Sequence, residues 1–168
     1  PMADASPPKW HLAHITWFFE TFLLQTYAAN YASHNPAFEH LFNSYYNGVG
    51  NPFPRIKRGS LSRPTVAEIH TYRSTIDEAL LTLIDEGAFG DQAAFEIAQI
   101  LELGLHHEQQ HQELLLTDIK YNLGHNPLFP KYHETLRKSD QESSTALSTD
   151  SPEALREIAF SEHNPGLV

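Results

Sequence analysis

One stripe of residues limits what this sequence can fold into. Ile97, Ile100, Gly104, His107, His111, Leu114 and Asp118 follow one another at alternating spacings of three and four. A helix places residues at those spacings on one face, whereas a half-buried strand needs alternation by two. The stripe predicts a long amphipathic helix over 91–122, with Asp91 as its cap and Gly124 as its stop. Midway along the apolar face two histidines, and further on an aspartate, stand where aliphatic residues are expected. A lone histidine on such a face is ordinarily a satisfied core residue. Two of them one turn apart raise the question of a shared ligand.

Three other segments have helical periodicity. Trp10, His14, Trp17, Phe18, Thr21, Leu24 and Ala28 predict a helix over 7–31, closed by the polar cluster Ser33-His34-Asn35-Pro36. Ser6 is its expected cap, and Pro7 its first helical residue, where a missing N–H costs nothing. Phe38, Leu41, Phe42 and Tyr45 predict a short helix over 38–45. Thr65-Val66-Ala67-Glu68 has the form of a capping box, and Ile69, Tyr72, Ile76, Leu80 and Leu83 carry that helix to residue 85. Between the second and third helices, glycine and proline punctuate residues 47–54, and the basic stretch Arg55-Ile56-Lys57-Arg58 continues the loop to Pro64. Loops this long in a compact domain are often functional. Three long helices and one short one define an all-α class, a four-helix bundle over 1–136. Residues 137–168 read as a Ser-, Thr-, Asp- and Glu-rich linker tail, in which a weak apolar pattern returns near Leu155 and Phe160.

Charge and composition narrow the function. Lys and Arg number 11 and Asp and Glu 21, for a net charge of −10. Nucleic-acid binding needs clustered cations and is not expected. Cysteine is absent, which removes disulfides, thiolate ligands and cysteine nucleophiles. No apolar run approaches the roughly 18 residues of a membrane span, and no basic, then apolar leader is visible. A cytoplasmic protein without membrane or nucleic-acid partners is the expectation. Histidine, at 11 residues, is the outlier.

His107 and His111 stand at i and i+4, which brings their Cβ atoms to about 5–6 Å on one face. His14 shares the inward stripe of Trp10, Trp17 and Thr21. Packing the first helix against the last would gather three imidazoles from facing helices, which is how bundle cores hold metals. His107-Glu108-Gln109-Gln110-His111 also spells the zincin pattern, with Glu108 as general base. That fit is poor: its third ligand would be His125, beyond the helix-stopping Gly124, and no Met-turn follows. His11 and His106 are read as rings on other sides of their helices, either supporting the better-placed histidines or solvated. His34, His40, His70, His125, His133 and His163 are read as surface residues. Arg55 and Arg58 could hold carboxylates by bidentate hydrogen bonds, although by pattern alone a solvated loop is the better reading. Gln110 could offer an amide to a polar substrate group.

Three segments in order carry a resemblance. They are Ser6-Pro7-Pro8-Lys9-Trp10-His11-Leu12-Ala13-His14-Ile15-Thr16-Trp17-Phe18-Phe19-Glu20, Asn43-Ser44-Tyr45-Tyr46, and His107-Glu108-Gln109-Gln110-His111-Gln112-Glu113-Leu114. Together they resemble the N-terminal DinB-like domain of the ergothioneine-biosynthesis iron sulfoxide synthases, with ovothiol and selenoneine synthases as close relatives. The likeness covers roughly residues 1–130. It implies a nonheme Fe(II) site whose ligands are His14, His107 and His111. It implies O2-dependent joining of a histidine betaine imidazole to a thiol such as cysteine or γ-glutamylcysteine, or to a selenium donor, with oxidation of the sulfur to the sulfoxide. Arg55 and Arg58 would bind the thiol substrate's carboxylates, and Gln110 would lie near the ammonium end of the betaine. Three neutral imidazoles would leave the ion its full charge and up to three open positions, unlike the commoner two-His, one-carboxylate arrangement.

The family's enzymes continue into a C-terminal domain of the formylglycine-generating-enzyme type, which carries a tyrosine acting in catalysis. This sequence stops about where that domain would begin, so no catalytic residue is assigned within it. The expectation is an N-terminal part that binds iron, works with that domain in cis or as a separate chain, and turns over poorly alone. Two other readings fit the same residues. One is a DinB-family divalent-metal-dependent thiol transferase, for which zinc would serve. The other is a non-catalytic, metal-stabilised interaction module whose acidity serves solubility.

Overall fold

The computed structural model describes residues 5–133 as helices and connecting loops, with no strand among them. The tail expected over 137–168, with Leu155, Phe160 and His163, lies outside the described residues. Four helical rods account for the fold, three long and one short, so the all-α bundle read from periodicity holds. The first rod runs through α1 (Pro8–Phe19), a π-turn (Glu20–Leu24) and α2 (Gln25–Tyr27). The others are α3 (Pro36–Phe42), α4 (Val66–Glu86) and α5 (Asp91–Gly124).

α1 is the hub, and α3, α4 and α5 each pack on it. Its Trp10, Ala13, Trp17, Phe18 and Phe19 meet Phe38 and Phe42 of α3, Ile69, Tyr72, Ile76, Leu80 and Leu83 of α4, and Ile97 of α5 in one apolar core. Each large side chain buried there contributes about 1.5–3 kcal/mol. α1 and α5 run antiparallel, since His11 meets His111, Phe19 meets Gly104, and Tyr27 donates to Glu96 at 3.0 Å. Arg73 of α4 ties α4 to α5 through Glu108, also at 3.0 Å.

Several boundaries differ from those predicted. The first rod ends at Tyr27 rather than 31, because Ala28 turns to extended backbone and Asn30 takes a left-handed φ of 58°, which asparagine tolerates. The chain then folds back over the rod, and the buried Glu20 carboxylate accepts from the Tyr31 hydroxyl at 3.0 Å, the His34 N–H at 2.7 Å and the Tyr72 hydroxyl. Ser6 does not cap α1. Pro7 occupies that position, and the Ser6 hydroxyl accepts from Arg58 at 3.3 Å instead.

α3 starts at Pro36, not 38, because Asn35 caps it by accepting from the Ala37 N–H at 3.0 Å. Asn35-Pro36 is thus a start signal for α3 rather than a terminator of α1. The Thr65–Glu68 capping box is present as expected. Gly90, not Asp91, caps α5, and Asp91 lies in the first turn, where its carboxylate meets the positive end of the helix dipole. α5 also runs through Gly124 to His125, whose N–H bonds the Tyr121 carbonyl. The loop expected around Arg55 contains a short 3₁₀ helix, Arg55–Ser60, that turns Arg58 inward.

Gly104 permits the close approach of α1 and α5. A Cβ there would lie 2.3 Å from the Phe19 ring, inside the core. Replacing Gly104 by Val should therefore destabilise the fold by about 1–3 kcal/mol through overpacking, with little helix-propensity gain to offset it. Chemical denaturation measures the loss, and a variant as stable as the parent would show that the two helices separate freely.

Candidate metal centre

His14 is wholly buried, and its surroundings follow from helical spacing. Trp10, one turn before it, and Trp17, one turn after it, stack on its two faces with centroids at 4.8 and 5.6 Å, each 14° from parallel. Its Nδ1 lies 2.6 Å from the Phe42 carbonyl oxygen. A carbonyl only accepts, so Nδ1 carries the proton and Nε2 keeps its lone pair. That Nε2 is buried and has no hydrogen-bond partner. A buried nitrogen with a free lone pair is costly unless something fills the place it faces.

Two rings of α5 face it. The His107 and His111 centroids are 4.6 Å apart, and each lies 4.9 Å from that of His14. One nitrogen from each ring falls within 4.8 Å of the other two. Bonds of about 2.0–2.2 Å place two ligands of one ion about 3–4 Å apart. The observed envelope is wider than that by less than an ångström, so the three rings could hold a metal ion. Sequence spacing brought these residues forward, and the fold brings them together. The Phe18 ring, 5.0 Å from His107, closes the apolar side.

The site keeps its imidazoles neutral. Burial lowers the pKa of His14 to about 3 and of His111 to about 3, with smaller lowering from neighbouring rings and Arg58. Burial lowers that of His107 as well. Neutral imidazole is the form that ligates a metal. Arg58 is buried, with its guanidinium 3.6 Å above the Trp10 ring that stacks on His14. It donates to Ser44 at 3.0 Å, as well as to Ser6. Arg58 thus clamps the loop to α1 and sets a cation beside the histidines, while Arg55 is exposed on the same 3₁₀ turn. Gln110 is exposed, one residue before His111. His106 is exposed too, as are His34, His40, His70, His125 and His133.

Of the two roles open to His11, supporting a better-placed histidine or lying in solvent, the fold gives it the first: α1 is buried around most of its circumference, so His11, on another side from His14, also faces protein. Its Nδ1 is 2.8 Å from Nδ1 of His111, and its Nε2 is 3.9 Å from Oδ2 of Asp118. The available signal was Asp118, seven residues after His111 on the same stripe. The half-buried Tyr46 ring packs 6.4 Å from His14.

These shifts set the acid response of the metal-free chain. Above about pH 6.5 the rings are neutral in both folded and unfolded states and cost nothing. Below it the unfolded chain takes up protons that the folded chain refuses, so stability falls as pH drops from 6.5 toward 4. The slope is up to about 1.4 kcal/mol per pH unit for each ring held neutral. Denaturation midpoints at pH 7.5, 6 and 5 check this, and a flat profile would contradict it.

The sequence profile of the DinB superfamily matches residues 1–115, a span that holds His14, His107 and His111. No curated protein matches the sequence. No helix among the described residues is long and apolar enough to cross a membrane. With an all-α bundle built on α1 and three inward histidines from its first and last helices, this chain belongs to the DinB superfamily.

Proposed function

We propose that this domain is the metal-binding part of an O2-dependent nonheme Fe(II) sulfoxide synthase of the ergothioneine type, which joins a histidine betaine imidazole to a small thiol or selenium donor. The observation that carries the reading is the convergence of three neutral rings, the buried His14 and His111 and the half-buried His107, with the lone pair of His14 Nε2 unpartnered. An all-nitrogen set with no carboxylate among its three members suits Fe(II) with open positions as well as zinc. Bound Fe(II) would supply redox chemistry and places for substrates to assemble, and orientation there would turn an encounter of several reactants into reaction within one complex.

The chain's own residues have separable tasks in this reading. His14, His107 and His111 hold the ion. The exposed Arg55 presents positive charge to the carboxylates of cysteine or γ-glutamylcysteine, Arg58, buried and bonded to Ser6 and Ser44, adds its charge to the local field, and Gln110 serves the ammonium end of the betaine. A formylglycine-generating-enzyme-like domain, in cis or as a separate chain, would complete the site and supply a catalytic tyrosine.

Anaerobic titration tests the proposal. One Fe(II) should bind per chain, and replacing His14, His107 or His111 by Ala should each weaken binding by at least about 100-fold, more than loss of an outer residue does. Arg55→Ala should weaken thiol binding to the Fe(II)-loaded chain about tenfold, the loss of one exposed charge-assisted contact, and leave metal affinity unchanged. Stoichiometric zinc with no Fe(II)-dependent O2 uptake in the presence of both substrates would instead support the DinB-family thiol transferase. Metal binding that raises the melting temperature without any substrate binding would support an interaction module.

A further inference from the structure

We infer that His11 and Asp118 position the His111 ring for metal ligation: Asp118 keeps the proton of His11 on Nε2, His11 offers its Nδ1 lone pair to Nδ1–H of His111, and Nε2 of His111 is left to face the ion. This rests on the reading of His14, His107 and His111 as ligands, and it adds two residues that the ligand set does not contain.

Proton placement on the two rings decides which of them can ligate. The 2.8 Å contact between the two Nδ1 atoms is a hydrogen bond, so one nitrogen carries the proton and the other accepts. If His11 donated, His111 Nδ1 would be spent as the acceptor and neutral His111 would hold its own proton on Nε2, so that neither nitrogen could ligate. His11 would then also turn the bare lone pair of its Nε2 toward the Asp118 carboxylate, 3.9 Å away. If His111 donates, both conflicts vanish: His11 Nε2–H faces the carboxylate, and His111 Nε2 is free to bind. Nε2 of His11 is buried with no hydrogen-bond partner, and the Asp118 carboxylate, 3.9 Å away, is the charged acceptor within about an ångström of side-chain adjustment, while the Ser6 backbone is a neutral neighbour of the same ring. His11 is 5% exposed and the Asp118 side chain 13%, so water competes little for either group. The arrangement parallels the carboxylate-supported histidines of metal sites generally, with a second imidazole inserted. It also spans α1 and α5, so it fixes ring orientation and helix register together.

Co(II) titration, read by visible absorption, tests this on the full chain, with the melting temperature of each metal-free variant as the folding control. His11→Phe keeps a ring but removes the acceptor, and should weaken Co(II) binding 10–100-fold, with the metal-free melting temperature held or raised. His11→Asn sets a carbonyl oxygen near the former Nδ1 and should recover most of the lost affinity. Asp118→Leu should weaken binding in the same direction with a smaller effect, and it decides the matter should His11→Phe fail to fold. Wild-type affinity in His11→Phe or, failing that, in Asp118→Leu overturns the inference while leaving the metal centre standing. So does His11→Asn binding no better than His11→Phe. If the parent chain binds no Co(II), the metal centre itself falls, and this inference with it.

Discussion

Burial of α1 around nearly its whole circumference is the constraint on which the rest of the structure depends. A helix in that position cannot leave polar groups to water, so its polar side chains must find partners in the elements packed around it. His14 bonds the last carbonyl of α3, His11 meets His111 of α5, and Glu20, in the π-turn that continues α1, takes the Tyr72 hydroxyl of α4. The hub is keyed to each neighbour by one polar contact set in an aromatic wall. A slip of any neighbour would strand a buried polar group, at a cost of about 1–3 kcal/mol. The same contacts that specify the bundle therefore aim the rings.

Aromatic stacking extends that control to electrostatics. Arg58, Trp10, His14 and Trp17 form a column, with successive spacings of 3.6, 4.8 and 5.6 Å. The cation at one end sits over a π-face, a favourable placement, and its field discourages protonation of the histidines. Asn43 builds the loop that positions it. Its amide donates to the Tyr46 and Gly50 carbonyls and accepts from the Tyr46 N–H, each at 3.0 Å. Ser44, next in the chain, then receives Arg58. A loop dense in glycine and proline thus acquires one defined shape because a buried asparagine side chain reinforces its few backbone turns, such as Val49 N–H to the Tyr46 carbonyl and Phe53 N–H to the Asn43 carbonyl.

The arrangement sets local cost against function. Neutral buried imidazoles with unpartnered nitrogens destabilise the metal-free chain, most of all in acid, and an ion would reverse that penalty because it binds the folded arrangement alone. Gly104 gives up helix propensity so that α5 can lie against Phe19. Both features make sense for a domain whose first and last helices must hold three rings at a common point.

Much of this was legible from residue order alone. Periodicity determined the four rods, the inward stripe of α5 and the inward set of His14, because a helix fixes which residues share a face whatever packs on it. The Thr65 capping box was equally local. Tertiary structure decided the rest. Asn35-Pro36 could end one helix or begin another, and only the return of the chain over Glu20 chose. Ser6 and Arg58 looked like a cap and a loop charge until the 3₁₀ turn buried them against each other. His11 lay off the stripe, and periodicity ranks faces only for a helix with a solvent side. α1 has almost none, so the ring next to His111 became visible when α5 was laid across it: spacing determines direction from the helix axis, but what stands in that direction is set by which elements surround it.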